Sequence, residues 1–212
     1  MTVDVRTAAA PDREAVAQLL ARAFADDPAM SYIWPNPAAR VRGLPKLFGL
    51  LFDSDAQAGM RLVTSGGEAA TLWRGPGQVR TSTGDLLRRL IPLLTTFGPA
   101  LGRAMTLSGA IDRHMPSGDF WYLHIAGCDP AHQGRGLGRA VVQAGLDRAA
   151  GRTRCYLETA TERNLGFYQT LGFQVTAEWR VADGGPTFWS MLRDPGWTEP
   201  GDRSGVPRPC SR

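Results

Sequence analysis

Apolar and polar positions in the first third of the chain predict one short strand, two helices and a β-hairpin. The segment VDVRTA is typical of a strand, and Pro11 is a favoured residue in the first turn of the helix that follows. The buried stripe of this helix is predicted from apolar residues at helical spacing, Val16, Leu19, Leu20, Ala23 and Phe24. A proline-rich break precedes a second helix, predicted over residues 38–56. The segments MRLVTSG and EAATLWR are predicted as strands, because Gly66-Gly67 between them is typical of a hairpin turn.

A long helical segment separates this hairpin from the later strands. Residues 75–116 contain two runs that are more helical than extended, and Pro92 is predicted to kink the first of them. The strand FWYLHIAGC then leads through a glycine-rich loop into a helix, followed by the strand RCYLETA and a short helix that ends at Gly172. Two more strands, FQVTAEWRV and PTFWSMLR, complete the pattern. This order predicts an α/β (α+β) fold, in which helices flank a mixed, mostly antiparallel sheet and a helical insertion separates the third and fourth strands.

The length and composition are those of one globular domain. The chain has 212 residues, of which 43% are hydrophobic and 21% charged, enough for one substantial core. We predict a domain over residues 1–194 that includes a helical insertion at about residues 75–116. Residues 195–212 have no hydrophobic periodicity, and we expect this tail to be disordered.

Charge and hydropathy argue against nucleic-acid and membrane partners. The net charge is +4, and the basic residues alternate with acidic ones instead of forming the clustered stripe that is usual in nucleic-acid-binding proteins. No apolar run approaches the roughly 20 residues that span a bilayer. The N-terminal segment contains acidic residues and lacks the apolar centre of a secretory signal. We therefore expect a cytoplasmic protein that binds neither nucleic acid nor membrane.

Cysteine and histidine positions give no indication of a metal site. Three cysteines lack the spacing of metal ligands and form an odd set, which favours a reduced compartment: Cys128, Cys155 and Cys210. Three histidines do not complete a zinc pattern with them: His114, His124 and His132. We therefore expect the protein to act without a metal.

The glycine-rich loop in DPAHQGRGLG predicts an anion site. It lacks the lysine and hydroxyl residue of a P-loop, and its glycine spacing differs from the dinucleotide-binding fingerprint. Gly136 and Gly138 lie just before a predicted helix, so that backbone N–H groups and the helix N-terminus are expected to close on an anion. Arg135 and Arg139 would add positive charge. A pyrophosphate held mainly by the backbone fits this pattern, and a glycine-rich connection that only turns tightly is the alternative.

Two motifs resemble those of the GNAT superfamily of acetyl-CoA-dependent N-acetyltransferases. DPAHQGRGLG resembles motif A of that superfamily, and LETATERNLGFYQTLGF resembles motif B, with its N-x-x-F-Y-x-x-x-G-F core. The two motifs have the expected separation, and the resemblance covers about residues 3–194. A closer resemblance, which includes AFADDPA and VTAEWRVADGGPTFWSM, is to puromycin N-acetyltransferase and its actinobacterial relatives. The resemblance implies the GNAT fold and acetyl-CoA as co-substrate.

The resemblance also implies which residues bind acetyl-CoA. Its pyrophosphate is expected on the backbone of one continuous segment, Gln133, Gly134, Arg135, Gly136, Leu137, Gly138 and Arg139. The pantetheine arm is expected along a bulge where the preceding strand splays, at Ala126, Gly127 and Cys128. There the N–H group of Ala126 would polarise the thioester carbonyl. Asn164 is expected to contact CoA through its amide, with a role at the start of a helix as the alternative.

Three residues are candidates for catalysis. Family analogy places Tyr168 near the CoA sulfur, where a hydroxyl with a usual pKa of about 10 would protonate the departing thiolate. The alternative role of Tyr168 is that of a packed aromatic residue on a helix, where it would share a face with Leu165 and Leu171. His124, predicted on the same strand face as Tyr122 and Ala126, and Glu158, on the next strand, are equal candidates for the base that deprotonates the amine. A hydrogen-bonded structural role is the alternative for both.

The resemblance implies transfer of an acetyl group to a primary amine of a small molecule, by direct attack in a ternary complex. The insertion and the early helices are expected to select the acceptor, with four aromatic residues as pocket walls or, alternatively, as core: Tyr32, Trp34, Trp73 and Phe97. A protein lysine or N-terminal acetyltransferase and a non-catalytic acyl-CoA-binding sensor are the other hypotheses. We expect a monomer or a homodimer.

Overall fold

Seven strands form a mixed sheet in the computed structural model, which describes residues 3–79, 90–149 and 153–197. The strands are β1 (Val5–Thr7), β2 (Gly59–Thr64), β3 (Ala69–Arg74), β4 (Phe120–Cys128), β5 (Arg154–Thr159), β6 (Gln174–Arg180) and β7 (Thr187–Arg193). Their order across the sheet is β1-β2-β3-β4-β5-β7-β6. Strands β4 and β5 are parallel, and every other neighbouring pair is antiparallel. The predicted mixed, mostly antiparallel sheet is confirmed.

Seven α-helices accompany the sheet in the described residues. They are α1 (Arg13–Ala23), α2 (Pro28–Ile33), α3 (Pro37–Ala58), α4 (Leu90–Phe97), α5 (Leu101–His114), α6 (Leu137–Ala149) and α7 (Leu165–Gln169). Helices α4 and α5 lie between β3 and β4, where the helical insertion was predicted. The second predicted helix corresponds to α3, which is slightly longer at both ends. Pro92 lies near the described start of α4, and the chain just before this helix is outside the described residues.

Helix α2 was not predicted, because its sequence was interpreted as a proline-rich break. Pro28 occupies the first turn, where proline is tolerated and its missing N–H group costs nothing. The Asp27 carboxylate caps the helix by accepting hydrogen bonds from the N–H groups of Ala29 and Met30, at 2.9 and 3.1 Å. The proline therefore starts a helix here instead of preventing one.

The two faces of the sheet are covered by different helices. Helices α1 to α5 supply most of the larger core, which includes Leu20, Phe48 and Leu72. Helices α6 and α7 pack on the opposite face, around Trp73 and Leu157. We call these the α1–α5 face and the α6–α7 face. Side chains alternate between the two faces along each strand, so the side on which a functional residue lies follows from its register.

His124 is the extra residue of a β-bulge. Leu123 pairs with Trp73 and Ile125 pairs with Leu72, so His124 in β4 has no opposite residue in β3. The extra residue shifts the alternation of side chains, and Ile125 packs against the α1–α5 core although Leu123 packs against the other. The bulge thus lies earlier in the strand than the predicted stretch at residues 126–128.

Beyond the bulge, β4 is regular toward β3 and parts from β5. Residues 126–128 pair with residues 71, 70 and 69 without interruption. The parallel pairing of β4 with β5 ends at Tyr122 and Tyr156, which leaves an opening that we call the strand gap. Ala126 packs with the α6–α7 core, so it does not share the face of Tyr122 and His124, contrary to the expectation from simple alternation. The predicted parting of the strands is present. The bulge lies at His124, where the parting begins, and not at residues 126–128.

The start of the predicted tail is held against the domain. The Arg193 guanidinium lies 5.1 Å from the centre of the Trp197 ring and donates a hydrogen bond to the Trp197 carbonyl at 3.1 Å. The rest of the predicted tail, residues 198–212, lies outside the described residues.

Candidate active site

The glycine-rich loop places the N-terminus of α6 next to the end of β4. Gly134 and Gly136 both have a φ of +77°, a region that other residues rarely adopt, and this explains the glycines at these two positions. The first hydrogen bond of the helix runs from the Ala140 N–H group to the Gly136 carbonyl, at 3.0 Å. The N–H groups of residues 137–139 therefore precede the helical ladder and point out of its N-terminus. This is the local geometry that suits an anion.

Side chains of the loop are arranged less uniformly than the sequence suggested. Arg135 is exposed, whereas Arg139 donates a hydrogen bond to the Thr170 hydroxyl at 3.0 Å. The Gln133 amide turns back to the Cys128 carbonyl, at 3.5 Å. The backbone amides, and not a pair of converging guanidinium groups, are thus the feature of the loop whose geometry suits an anion.

Gly127 lies in β4, before this loop, and Gly138 lies in α6, after it. A side chain at Gly127 would put its Cβ 2.7 Å from Leu20 of α1, so the glycine permits close packing on the α1–α5 face. At Gly138 a Cβ would meet only Cys128, at 3.9 Å, which is an ordinary contact. The protein itself therefore leaves room for a side chain at Gly138.

Tyr168 lies in α7 and packs within the core of the α6–α7 face. Its ring contacts Phe167 and Phe173 edge-on, and its hydroxyl has no hydrogen bond to a residue that the structure describes. Burial raises the pKa of Tyr168 above its usual value, and the charges of Asp27 and Glu158 add to the shift. The hydroxyl thus keeps its proton at neutral pH, as a proton donor must.

Asn164 ends a short 3-10 turn directly before α7. Its side chain makes no capping hydrogen bond to that helix, although asparagine is a favoured capping residue. The role at the start of the helix, considered as an alternative, is therefore not the one the structure shows. Its amide is available for another partner.

Glu158 lies on β5 at the start of the strand gap, on the α1–α5 face. The Tyr122 hydroxyl donates a hydrogen bond to Glu158 Oε1. The other oxygen, Oε2, is buried and has no hydrogen-bond partner among the described residues. Burial raises the pKa of Glu158 to about 7, although the Tyr122 and Tyr156 hydroxyls oppose the shift. A carboxylate with a pKa near neutrality and one unused oxygen is suited to accept a proton.

His124 belongs to a buried polar cluster that the sequence analysis missed. Its Nδ1 atom lies 2.7 Å from Asp55 Oδ2, and Asp55 Oδ1 accepts a hydrogen bond from Arg74 Nε, also at 2.7 Å. Asp55 is fully buried in α3. One signal was present in the sequence, because Phe48, Phe52 and Asp55 follow helical spacing and put a carboxylate on an otherwise apolar stripe.

Burial and charge set the protonation states of this cluster. Burial alone would raise the pKa of Asp55, but His124 and Arg74 outweigh it and hold the pKa below its usual range. Burial lowers the pKa of His124, Asp55 opposes the shift, and Arg74 adds to it. At neutral pH Asp55 is therefore ionised and His124 is neutral. Since a carboxylate can only accept, the His124 proton resides on Nδ1, and Nε2 carries the free lone pair.

The structure thus divides the predicted catalytic residues between the two faces of the sheet. His124 and Glu158 are on the α1–α5 face, with Tyr122 between them: its ring centre is 5.2 Å from that of His124. Tyr168 and the N-terminus of α6 are on the other face. The strand gap begins between the two sides, and the charge of Glu158 adds to the raised pKa of Tyr168, after burial and the charge of Asp27.

The four aromatic residues suggested for an acceptor pocket do not converge. Trp34 and Phe97 stack in the α1–α5 core at 5.2 Å, and Trp73 is fully buried on the opposite face. Tyr32 differs, because it lines a cavity of about 470 Å³ between α2, α5 and the turn that joins β6 to β7. Core packing is therefore the role that the structure shows for the other three.

Two further features concern metals and membranes. Within residues 3–79, 90–149 and 153–197, no three His, Cys, Asp or Glu side chains gather as metal ligands would. None of the helices in the same residues combines the length and the apolar character needed to cross a bilayer.

Similarity to known proteins agrees with this architecture. Residues 105–173, from α5 to the turn before β6, match the model of the acetyltransferase (GNAT) family. A crystal structure described as histone acetyltransferase HPA2 and related acetyltransferase, from Corynebacterium glutamicum, has a TM-score of 0.71 and 27% sequence identity. The similarity covers 93% of this chain and 99% of the chain in that crystal structure.

Two curated proteins are similar over shorter stretches. N-alpha-acetyltransferase RimI of Mycobacterium tuberculosis is 39% identical over 80 residues, which are 35% of this chain and 49% of that protein. Mycothiol acetyltransferase of Rhodococcus erythropolis is 40% identical over 67 residues, which are 28% of this chain and 22% of that protein. The chain spans about half the length or less of these curated relatives.

The sheet topology, the parting of β4 from β5 and the glycine-rich loop before α6 define the GNAT fold. The match of residues 105–173 to the GNAT family model and the similarity to the relatives above agree with this fold, so the chain is similar to GNAT acetyltransferases. The resemblance to that superfamily is confirmed. The narrower resemblance to puromycin N-acetyltransferase stays a prediction.

Proposed function

We propose that the protein transfers the acetyl group of acetyl-CoA to a primary amine of a small molecule. The observation that carries the proposal is the strand gap. On one side of the sheet it has the N-terminus of α6 and the protonated hydroxyl of Tyr168, and on the other it has Glu158 and His124. We propose that the first two groups act as anion seat and proton donor, and the last two as proton acceptors, on the two sides of one opening.

The described residues fit acetyl-CoA as a co-substrate. The amides at the N-terminus of α6 would hold its pyrophosphate, and residues 126–128 border the gap in which the pantetheine arm would extend. Asn164, whose amide does not cap α7, would make a further contact. Space at Gly138 supports this assignment, because nothing in the protein itself requires a glycine there.

Each proton in the proposed reaction has a donor and an acceptor. The amine nitrogen attacks the thioester carbonyl carbon, and the proton that the amine loses passes to Glu158 or His124 and from there to solvent. The C–S bond breaks, and the CoA sulfur takes the proton of Tyr168, which recovers one from solvent. The N–H group of Ala126 is the proposed donor to the carbonyl oxygen as negative charge develops there. The products are the N-acetylated amine and CoA thiol.

We favour Glu158 as the group that contacts the amine directly. Its Oε2 atom is buried without a partner, which is a costly arrangement unless a ligand supplies a hydrogen bond. Its charge also acts on Tyr168, so the proposed proton acceptor and donor lie within electrostatic reach of each other. The proton that Glu158 accepts then passes to Nε2 of His124, either directly or by way of water.

A second candidate function is acetylation of a protein N-terminus. It is favoured by the similarity to N-alpha-acetyltransferase RimI, which at 39% identity covers 35% of this chain. Helix α5 packs against this side of the sheet, where His114 stacks on Trp179 with ring centres 4.1 Å apart, and we take this to favour a more enclosed site than a peptide requires. The two candidates share the same chemistry and differ in the acceptor.

Thiol release from acetyl-CoA, measured with a panel of acceptors, tests the proposal. The panel contains aminonucleosides, aminoglycosides, polyamines, amino acids and unblocked peptides. We expect turnover with at least one small amine and none with the peptides. Turnover restricted to peptides would replace the proposed acceptor class, and binding of acetyl-CoA without turnover of any amine would indicate a sensor module.

A further inference from the structure

Asp55 is the fully buried centre of the Arg74–Asp55–His124 cluster. Both of its oxygens are occupied, one by the Arg74 guanidinium and the other by the His124 imidazole, each at 2.7 Å. A buried carboxylate is costly unless it is paired and hydrogen-bonded, and here both conditions are met. The cluster joins α3 to two neighbouring strands, so it is a tertiary contact and not a local one.

The backbone explains why His124 can reach into this cluster. As the extra residue of the β4 bulge, it has no opposite residue on β3 and extends to the same face as Tyr122. Arg74 pairs directly with Tyr122 across the sheet and brings its guanidinium to that face as well. Helix α3 lies over these strands and supplies Asp55 from above. The bulge therefore serves to aim one imidazole at one carboxylate.

Among the residues that the structure describes, few charged and titratable groups face His124. Asp55 comes from α3, Arg74 from β3, and Tyr122 from the same strand, with Glu158 of β5 beyond Tyr122. Arg74 is itself neutralised by Asp55, and the exposed fractions of the Arg74 and His124 side chains are 11% and 15%. Burial has the largest influence on the state of the imidazole, and among the charges the Asp55 carboxylate that it touches has the largest.

We propose that Asp55 is a positioning residue for His124: it accepts the Nδ1 proton and thereby fixes the ring so that Nε2 is the proton acceptor, while Arg74 keeps Asp55 ionised. This inference rests on the proposed acetyl transfer for its functional meaning. It assigns a role to two buried charges that the acyl-transfer chemistry alone does not need. A carboxylate that orients an imidazole in this way fixes its tautomer and its direction together.

The test combines nuclear magnetic resonance with kinetics. Nitrogen-15 spectra of histidine-labelled protein report the tautomer and the pKa of each ring, and loss of a signal in His124→Gln assigns His124. We expect the Nδ1–H tautomer in the wild-type protein. In Asp55→Asn, the Nε2–H form becomes populated and the pKa of His124 falls, because the negative charge that raised it is gone while Arg74 remains.

The turnover number kcat should also depend on the Asp55 carboxylate. We expect Asp55→Asn to reduce kcat by about 10- to 100-fold with little change in the KM for acetyl-CoA, as only part of the gain from base catalysis is lost. In the His124→Gln background the same substitution should have no further effect on kcat, because Asp55 acts through the imidazole. Asp53→Asn is the matched control: Asp53 is two residues away in α3 and forms an ion pair with Arg13 on the surface, at 2.9 Å.

Each contrary result would overturn the role of Asp55. In the spectra, these results are an Nε2–H tautomer in the wild-type protein or an unchanged tautomer in Asp55→Asn. In the kinetics, they are a loss of kcat in Asp55→Asn that is no larger than in Asp53→Asn, or a loss of kcat from Asp55→Asn that is the same with and without His124. If Asp55→Asn fails to fold, the wild-type tautomer still decides. If no amine accepts an acetyl group, the proposed function fails, whereas the spectra still report whether Asp55 orients His124.

Discussion

The hydroxyl of Tyr122 on β4 donates a hydrogen bond to Glu158 on β5 at the point where the two strands part. The bond ties the two sides of the strand gap together and satisfies one oxygen of the carboxylate, while the other remains without a described partner. Glu158 is thus held in place by the protein and left with one oxygen to use.

Replacing Glu158 should change how stability depends on pH. The folded state raises the pKa of this carboxyl to about 7 from a usual 4.5, so the folded protein binds an extra proton between these values. The stabilising contribution is complete below pH 4.5 and is lost as the pH rises through about 7. Glu158→Gln removes this loss. The free energy of unfolding of the variant, compared with that of the wild type, should therefore be larger at pH 8 than at pH 5.

Urea denaturation of Glu158→Gln over that pH range is the measurement. Glu162→Gln is a suitable control, because Glu162 is exposed in the turn after β5. The same Glu158 variant should lose most of its acetyl transfer above neutral pH. A stability difference that does not vary with pH would contradict the raised pKa of Glu158.

Removing the Tyr168 hydroxyl should slow turnover without weakening the binding of acetyl-CoA. Tyr168→Phe retains the ring that packs against Phe167 and Phe173, so the fold is expected to persist. If the hydroxyl protonates the leaving thiolate, kcat should fall about 100-fold. Steady-state kinetics together with calorimetric titration of acetyl-CoA separate the two effects. Unchanged turnover across the pH range would exclude Tyr168 as the proton donor.

A methyl group at Gly138 should interfere with CoA but not with folding. A Cβ there would have one ordinary protein contact, and alanine favours a helix over glycine. If the pyrophosphate lies on the amides of α6, Gly138→Ala should weaken CoA binding by about tenfold or more, which corresponds to roughly 1.4 kcal/mol. Isothermal titration of CoA provides the dissociation constant.

Gly102→Ala provides the control for that experiment. Gly102 is a glycine in α5, and a Cβ at this position would have no atom within 4 Å. This variant should bind CoA as the wild-type protein does and melt at the same or a slightly higher temperature. Unaltered CoA binding in Gly138→Ala would place the pyrophosphate elsewhere.

A methyl group at Gly145 should destabilise the fold instead. Helix α6 crosses the sheet at this glycine, where a Cβ would lie 2.4 Å from the buried indole of Trp73. Trp73 is fully buried and donates a hydrogen bond to Thr71, so it has little freedom to move. We expect Gly145→Ala to lose about 1–3 kcal/mol of stability in urea denaturation. A variant as stable as Gly102→Ala would show that the helix can move away from the sheet at little cost.

Much of the fold could be predicted because its signals are local. The hairpin at Gly66-Gly67, the insertion before β4 and the short helix after β5 depend on turn residues and on hydrophobic spacing within one segment. Helix α2 was missed because the same prolines that mark a break can also begin a helix, and the capping Asp27 decides between these outcomes. Three of the four suspected pocket aromatics are core residues, since spacing alone does not reveal which face of the protein they meet.

The site was predicted in part for the same reason. The glycine-rich loop, Tyr168 and the two candidate bases lie in contiguous motifs, so the chain itself shows which types of residue are present and in what order. The burial of Asp55 beside His124, the Tyr122–Glu158 bond and the position of the bulge depend on contacts between segments far apart in sequence. The sequence by itself determined the fold class and the chemical groups available, because these follow from local pattern. Only the tertiary structure decided which groups meet, because distances, burial and charge pairing arise when helices pack on the sheet.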